Sequence, residues 1–126
     1  MATAVTDTRY TPADLLTLRG TGRYELIDGQ LVERNMGAKS SYLAARLLRL
    51  LGLVTDAQGL GLLFGPEPYS YQIFADDPSR VRYADGSFIQ RGRWPGDAPP
   101  EGHCRIPPDL AIEAVSPNDL ARAIEE

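Results

Sequence analysis

The dipeptide Asp28-Gly29, set between YELI (24–27) and QLVE (30–33), constrains this chain more than any other short stretch. Both residues accept the positive φ that a two-residue type I′ turn demands, and that turn matches the twist of paired strands. An antiparallel hairpin is therefore expected over residues 24–33. Tyr24, Leu26 and Leu31 would pack one face, with Glu25 and Glu33 on the other or at its rim. Upstream, Tyr10-Thr11-Pro12-Ala13-Asp14-Leu15-Leu16 reads as a short helix, with Thr11 as cap and Pro12 at the first position. Residues 1–9 are small and polar and are expected to fray.

Beyond the hairpin the period changes. From Ala38 to about Gln58, Tyr42, Leu43, Leu47, Leu50, Leu51 and Val54 recur at three- and four-residue spacings, while Arg46 and Arg49 fall outside the stripe. That is a long amphipathic helix, capped by Ser40 or Ser41 and stopped by Gly59. Strand-like runs follow: GLLFG, PYSYQIF and RVRYADGSFIQRG, separated by Pro66, Pro68 and the turn Asp76-Asp77-Pro78-Ser79. A Pro/Gly-rich loop, RWPGDAPPEGHCRIPP, leads at Asp109 into the strand of PDLAIEAVSP. Ser116-Pro117-Asn118-Asp119 then opens a helix over LARAIEE. Strands grouped with helices at both ends imply a mixed sheet with helical cover, an α+β or α/β layer fold in a single domain over 1–126.

Composition excludes several classes. Apolar residues make up 43% and charged ones 24%, which suits a folded core rather than disorder. The apolar run Leu43–Val54 is too short and too broken by arginine to span a bilayer, and no charged-then-apolar leader opens the chain. The single cysteine, Cys104, forms no internal disulfide and is expected as an inert half-buried thiol, so a cytoplasmic protein is expected. A net charge of -4 argues against broad electrostatic capture of nucleic acid. The cations are twelve arginines and one lysine, Lys39.

Two acids invite chemistry. Leu110, Ala111, Ile112, Ala114 and Val115 spell a short buried strand with Glu113 inside it, where an ionised group is costly without a partner, a metal or hydrogen bonds. Asp85 shares a strand face with Val81, Tyr83 and Ser87, and Gly86 beside it marks a bulge or a close approach. Two carboxylates on adjacent strands suit a hard, oxygen-liking cation such as Mg²⁺. The plainer alternative is that Asp85 takes a turn or bulge and Glu113 pairs with Arg82 or Arg105.

YTPADLL, GRYELIDGQLVE, ARLLRLLG, VRYADGSFIQRGR, PPEG and PPDLAIEAVSPND together resemble the Uma-two family of bacterial endonucleases, over nearly the whole chain. The resemblance implies a restriction-endonuclease-like fold of the PD-(D/E)xK type, a mixed sheet flanked by helices with a metal at the strand ends. It implies DNA as substrate and Mg²⁺ as cofactor with Mn²⁺ as substitute, while the sheet edge that a shortened core would expose leads to the expectation of a homodimer. It places the motif aspartate on Asp85 and the motif glutamate on Glu113, gives the carbonyl of Ala114 to the metal shell, and makes Glu25 a further acid at the rim of the cleft. Where relatives carry proline before the aspartate, this chain has Ala84. The superfamily lysine position holds Val115, and the family's alternative lysine, on the following helix, is not reached by Glu126. The final helix and strand of the core are thus expected to be missing, through natural truncation, fragmentation or a partner that supplies them. Two functions stay open: a Mg²⁺-dependent DNA endonuclease, or an inactive family member serving as an interaction or oligomerisation module.

Other candidates are thin. His103 lacks the ligands a zinc site needs and reads as a surface residue. GLGLLFG lacks the lysine and hydroxyl of a phosphate loop, so no organic cofactor is expected. Trp94, near Arg91 and Arg93, either stacks on a base or anchors the proline loop. Lys39, at the head of the long helix, reads as a solvated helix-start residue.

Overall fold

The structure is a computed structural model that describes residues 9–18, 24–33, 37–65 and 69–115. The LARAIEE helix, Pro66, Pro68 and residues 1–8 lie outside these. Among the described residues are two α-helices, α1 (Pro12–Leu16) and α2 (Ala38–Ala57), and seven strands: β1 (Tyr24–Ile27), β2 (Gln30–Glu33), β3 (Gly61–Phe64), β4 (Ser70–Tyr71), β5 (Arg82–Tyr83), β6 (Gly86–Gln90) and β7 (Leu110–Ile112). This is the α+β class the pattern implies. No helix among the described residues is long and apolar enough to cross a membrane.

The chain forms two compact units. One draws on Met1–Asn35, Ser70–Tyr83 and Pro99–Pro107, the other on Met36–Tyr69, Ala84–Ala98 and Pro108–Glu126.

In the first unit, Thr11 and Asp14 exchange side-chain and backbone hydrogen bonds, a full capping box at the head of α1. β1 and β2 pair as expected, with Asp28 at φ 54° and Gly29 at φ 75° making the turn. Opposed residues share a face, and Tyr24 opposes Glu33 while Leu26 opposes Leu31. Glu33 therefore lies on the face of Tyr24, Leu26 and Leu31, and only Glu25 takes the other. Leu26 and Val81, both fully buried, exchange backbone hydrogen bonds of 2.8 and 2.9 Å and form the centre of this unit. β4 pairs antiparallel with β5, and a parallel bridge joins Tyr71 to Cys104. Of PYSYQIF, only Ser70 and Tyr71 become strand.

His103 and Cys104 correct their expected exposure. His103 is buried, with Nε2 2.7 Å from the carbonyl of Pro12 and Nδ1 2.8 Å from Ser70 Oγ. A carbonyl only accepts, so Nε2 carries the proton and Nδ1 accepts from the serine hydroxyl. Cys104 is fully buried and donates to the carbonyl of Ile106 at 3.2 Å.

The second unit is an antiparallel sheet in the order β3-β6-β7, with α2 packed on β3. Gly37 caps α2 without a side chain, so neither Ser40 nor Ser41 is the cap; Ser40 lies inside the first turn and its hydroxyl donates instead to the carbonyl of Val115 at 3.3 Å. The face of α2 turned inward also differs from the expected stripe. Ser40, Ala44 and Thr55 are buried, whereas Tyr42, Leu43, Leu47, Leu50 and Val54 are between 42% and 62% exposed. Small residues let the helix sit close, and Leu48 fills the space over Gly65 and Gly86. Trp94 packs edge-on against Phe64, 6.2 Å between centroids, and tilted against Tyr69, which anchors the proline loop.

Candidate functional site

The run from Arg82 to Gln90 does not form one continuous strand. β5 ends at Tyr83, β6 begins at Gly86, and Asp85 sits in the break. The register pairs Gly86 with Ile112, yet Asp85 also donates its N–H to the carbonyl of Ile112 at 2.8 Å. Two residues thus oppose one, the form of a β-bulge, as Gly86 suggested. A Cβ on Gly86 would meet Leu48 Cδ2 at 2.7 Å and Ile112 Cδ1 at 3.2 Å, so any side chain there requires Leu48 to shift.

The bulge aims Asp85 at the segment after β7. Its Oδ2 accepts the N–H of Ala114 at 2.7 Å, a short charge-assisted bond. Asp85 is thereby fixed to the backbone on both sides of Glu113, at Ile112 and at Ala114. The residue is 8% exposed, and its Oδ1 has no hydrogen-bond partner among the described residues. The carbonyl of Ala114 likewise accepts none among the described residues.

Glu113 departs from the expected burial. β7 ends at Ile112 and is an edge strand among the described residues, so Glu113 lies past its end and is exposed. Leu110 and Val115 are exposed as well, leaving Ile112 as the buried member. The cost of desolvating the Glu113 carboxylate therefore does not arise. Arg82, one expected partner of Glu113, is taken by Glu25.

Glu25 belongs to the first unit, Asp85 and Glu113 to the second. Glu25 is fully buried, and its Oε2 accepts from Tyr83 N–H at 3.0 Å and from Arg82 Nε at 3.3 Å. It is an acid enclosed with its own counter-charge rather than one held open at a rim.

Asp109, ahead of β7, has another role. Its Oδ2 accepts from Gln90 N–H at 2.7 Å and from Arg93 Nη1 at 3.0 Å. The Gln90 hydrogen bond, then Arg93, hold this carboxyl below the usual carboxylate range. It clamps the loop to β6.

Asp85, Glu113 and the Ala114 carbonyl, linked through the Asp85–Ala114 hydrogen bond, offer oxygen donors only, the chemistry preferred by Mg²⁺. No group of three or more His, Cys, Asp or Glu side chains converges among the described residues. The set fits a metal held by one or two carboxylates rather than a closed protein cage.

The family model "Uma2: Putative restriction endonuclease" matches residues 12–125. The chain belongs to the Uma2 family. No curated protein matches it. The Uma2 match spans both units, including Glu25, Asp85 and Glu113. Sequence reasoning offers Ser40 only as a helix cap, because its bond to Val115 crosses 75 residues and leaves no local signal.

Proposed function

We propose that this Uma2 protein hydrolyses DNA phosphodiester bonds with a divalent cation, Mg²⁺ or in its place Mn²⁺, held by Asp85, Glu113 and the carbonyl of Ala114. One observation carries the reading: the bulged Asp85 is bonded to the backbone on either side of Glu113 while its Oδ1 stays unengaged among the described residues. Such an arrangement fixes one carboxylate in place before a ligand arrives, which reduces the ordering cost of binding. When bound, the ion supplies charge neutralisation at the phosphate and a more acidic attacking water. Asp85 provides the rigid ligand, and Glu113, exposed just past the end of β7, provides the second carboxylate. Glu25 acts as a framing acid, holding Arg82 and Tyr83. The cytoplasm is the proposed location.

The test is cleavage of supercoiled and linear DNA with Mg²⁺ or Mn²⁺, alongside Asp85→Ala and Glu113→Ala. Metal-dependent cutting by the parent chain, lost in both variants, is expected. Cutting that survives both changes would remove these acids from the site.

A second reading has its own observation. Leu43, Leu47, Leu50 and Val54 follow a 4-3-4 spacing on the exposed side of α2, a repeat suited to pairing with another helix. We infer from it an oligomerisation role, with a second copy as partner. A Leu47→Glu, Leu50→Glu double variant should shift the sedimentation coefficient to that of a monomer. A parent chain that already sediments as a monomer at high micromolar concentration ends this reading.

A further inference from the structure

Hydrolysis of a phosphodiester forms a bond from the water oxygen to phosphorus and breaks the bond to the leaving oxygen, with the water's proton passing to solvent and the leaving oxygen protonated. Negative charge gathers on the phosphoryl oxygens on the way, so a fixed cation beside them lowers the barrier. Position 115, two residues beyond Glu113, is valine and offers none. The question becomes which cation among the described residues of the second unit lies at the end of the sheet where Asp85 and Glu113 sit.

Arg93 is committed to Asp109 at 3.0 Å. Arg91 follows the far end of β6, five residues of strand away from the Asp85 end. Arg46 and Arg49 lie in the third and fourth turns of α2, away from its head. Lys39 differs from all of them. It precedes Ser40, and the Ser40 hydroxyl donates to the carbonyl of Val115 at 3.3 Å, which ties the first turn of α2 to the chain directly after Glu113-Ala114. Ala114 is in turn bonded to Asp85. Ser40, Val115, Ala114 and Asp85 therefore form one hydrogen-bonded chain, and Lys39 stands beside its first member.

Lys39 is exposed and enters no hydrogen bond or ion pair among the described residues. Its ammonium is a compact charge on a flexible four-carbon stem, able to swing toward a ligand. Side chains in a first helical turn lean toward the helix start, and no side chain caps this one, so the first N–H groups add positive potential in the same place.

We propose that Lys39 is a catalytic residue of this chain: its ammonium contacts the scissile phosphate held at Asp85 and Glu113, in place of a lysine at position 115. This rests on the nuclease reading above.

Lys39→Met should lower Mg²⁺-dependent DNA cleavage about 10²–10³-fold. It should leave the thermal shift produced by Mg²⁺ alone unchanged, since the metal ligands are intact. Without metal, duplex binding should lose about one unit of its salt slope, the signature of one phosphate contact removed. Arg49→Ala, on the same helix, should cut like the parent. Adding Val115→Lys to Lys39→Met should restore cutting, because Val115 is exposed and its tether to Ser40 uses only its backbone.

Parent-level cutting by Lys39→Met, with Asp85→Ala dead, overturns the Lys39 assignment and leaves the nuclease standing. Lost cutting with an unchanged salt slope and no rescue by Val115→Lys makes Lys39 merely structural and also overturns it. A parent chain that never cuts removes the nuclease reading, and this one with it.

Discussion

Glu25 and Asp85 are both buried acids, and they are satisfied in opposite ways. Glu25 is fully enclosed, with Arg82 and the Tyr83 N–H on one carboxylate oxygen. Asp85 uses one oxygen for the Ala114 N–H and, among the described residues, keeps the other unengaged. A carboxylate enclosed with its counter-charge is part of the frame. One fixed at one oxygen and unengaged at the other is pre-organised for a ligand. Burial alone does not separate these roles; the counter-charge does, with Arg82 3.3 Å from Glu25 and the only hydrogen bond to the Asp85 carboxylate among the described residues coming from a neutral N–H.

The comparison breaks most visibly at Glu25. Glu25→Ala would strand the Arg82 guanidinium, only 15% exposed in its side chain, without its carboxylate. Removing one partner of a buried pair costs about 3–5 kcal/mol. Urea denaturation should show the midpoint falling sharply with Glu25→Ala, and less with Glu25→Gln, which keeps an acceptor for Tyr83. A loss under 1 kcal/mol for the alanine variant would mean that Glu25 is not part of the frame.

Gly86 tests the packing behind Asp85. Gly86→Ala drives a methyl group into Leu48, and overpacking of this kind costs about 1–3 kcal/mol. The Asp85 arm of the comparison predicts more: the bulge shifts, so the Mg²⁺-induced thermal shift should weaken as well. An alanine variant with parent stability and parent metal response would show that Leu48 yields and the bulge does not depend on glycine.

At Asp85 itself the stability effect should be smaller. Asp85→Asn keeps an oxygen for the Ala114 N–H and loses only its charge, at about 1 kcal/mol or less on the scale of single hydrogen bonds. Metal response should nevertheless disappear. Small stability cost with lost metal response is the reverse of the Glu25 pattern. If Asp85→Asn instead unfolds the protein as badly as Glu25→Ala, the two acids are alike and the distinction fails.

What the sequence made legible follows from distance along the chain. The capping box of Thr11 and Asp14 and the Asp28-Gly29 hairpin are set by residues within a few positions of each other. Gly86 correctly signalled the bulge because it sits inside it. His103 was misread because its partners are 33 and 91 residues away, and nothing in a proline loop announces Ser70 or the Pro12 carbonyl. Glu113 was misread for another reason: a run of apolar letters looks the same in a central strand and at an edge, and β7 is at an edge. The stripe of α2 failed likewise, since Ser40, Ala44 and Thr55 are inward through their small size, which a hydrophobic period does not register.

The smallest expected effect concerns Asp109, the acid that clamps rather than frames or binds. Its carboxyl is held below the usual range, first by the Gln90 N–H and then by Arg93. A carboxyl with a depressed folded-state value adds stability above the unfolded value and loses it as pH falls through the folded one. The loss should therefore begin below about pH 4, where an unfolded aspartate protonates, and be complete once Asp109 itself is protonated. The group is solvent-facing, so salt should reduce the effect. Hydrogen exchange at the Gln90 amide, followed from pH 5 downward in the parent and in Asp109→Asn, would isolate it from other acids. Protection that drops with acid in the parent and stays flat in the asparagine variant assigns the transition to Asp109. Identical profiles would mean that the Gln90 bond is held by the β3-β6-β7 ladder alone, and that this third acid contributes no clamp.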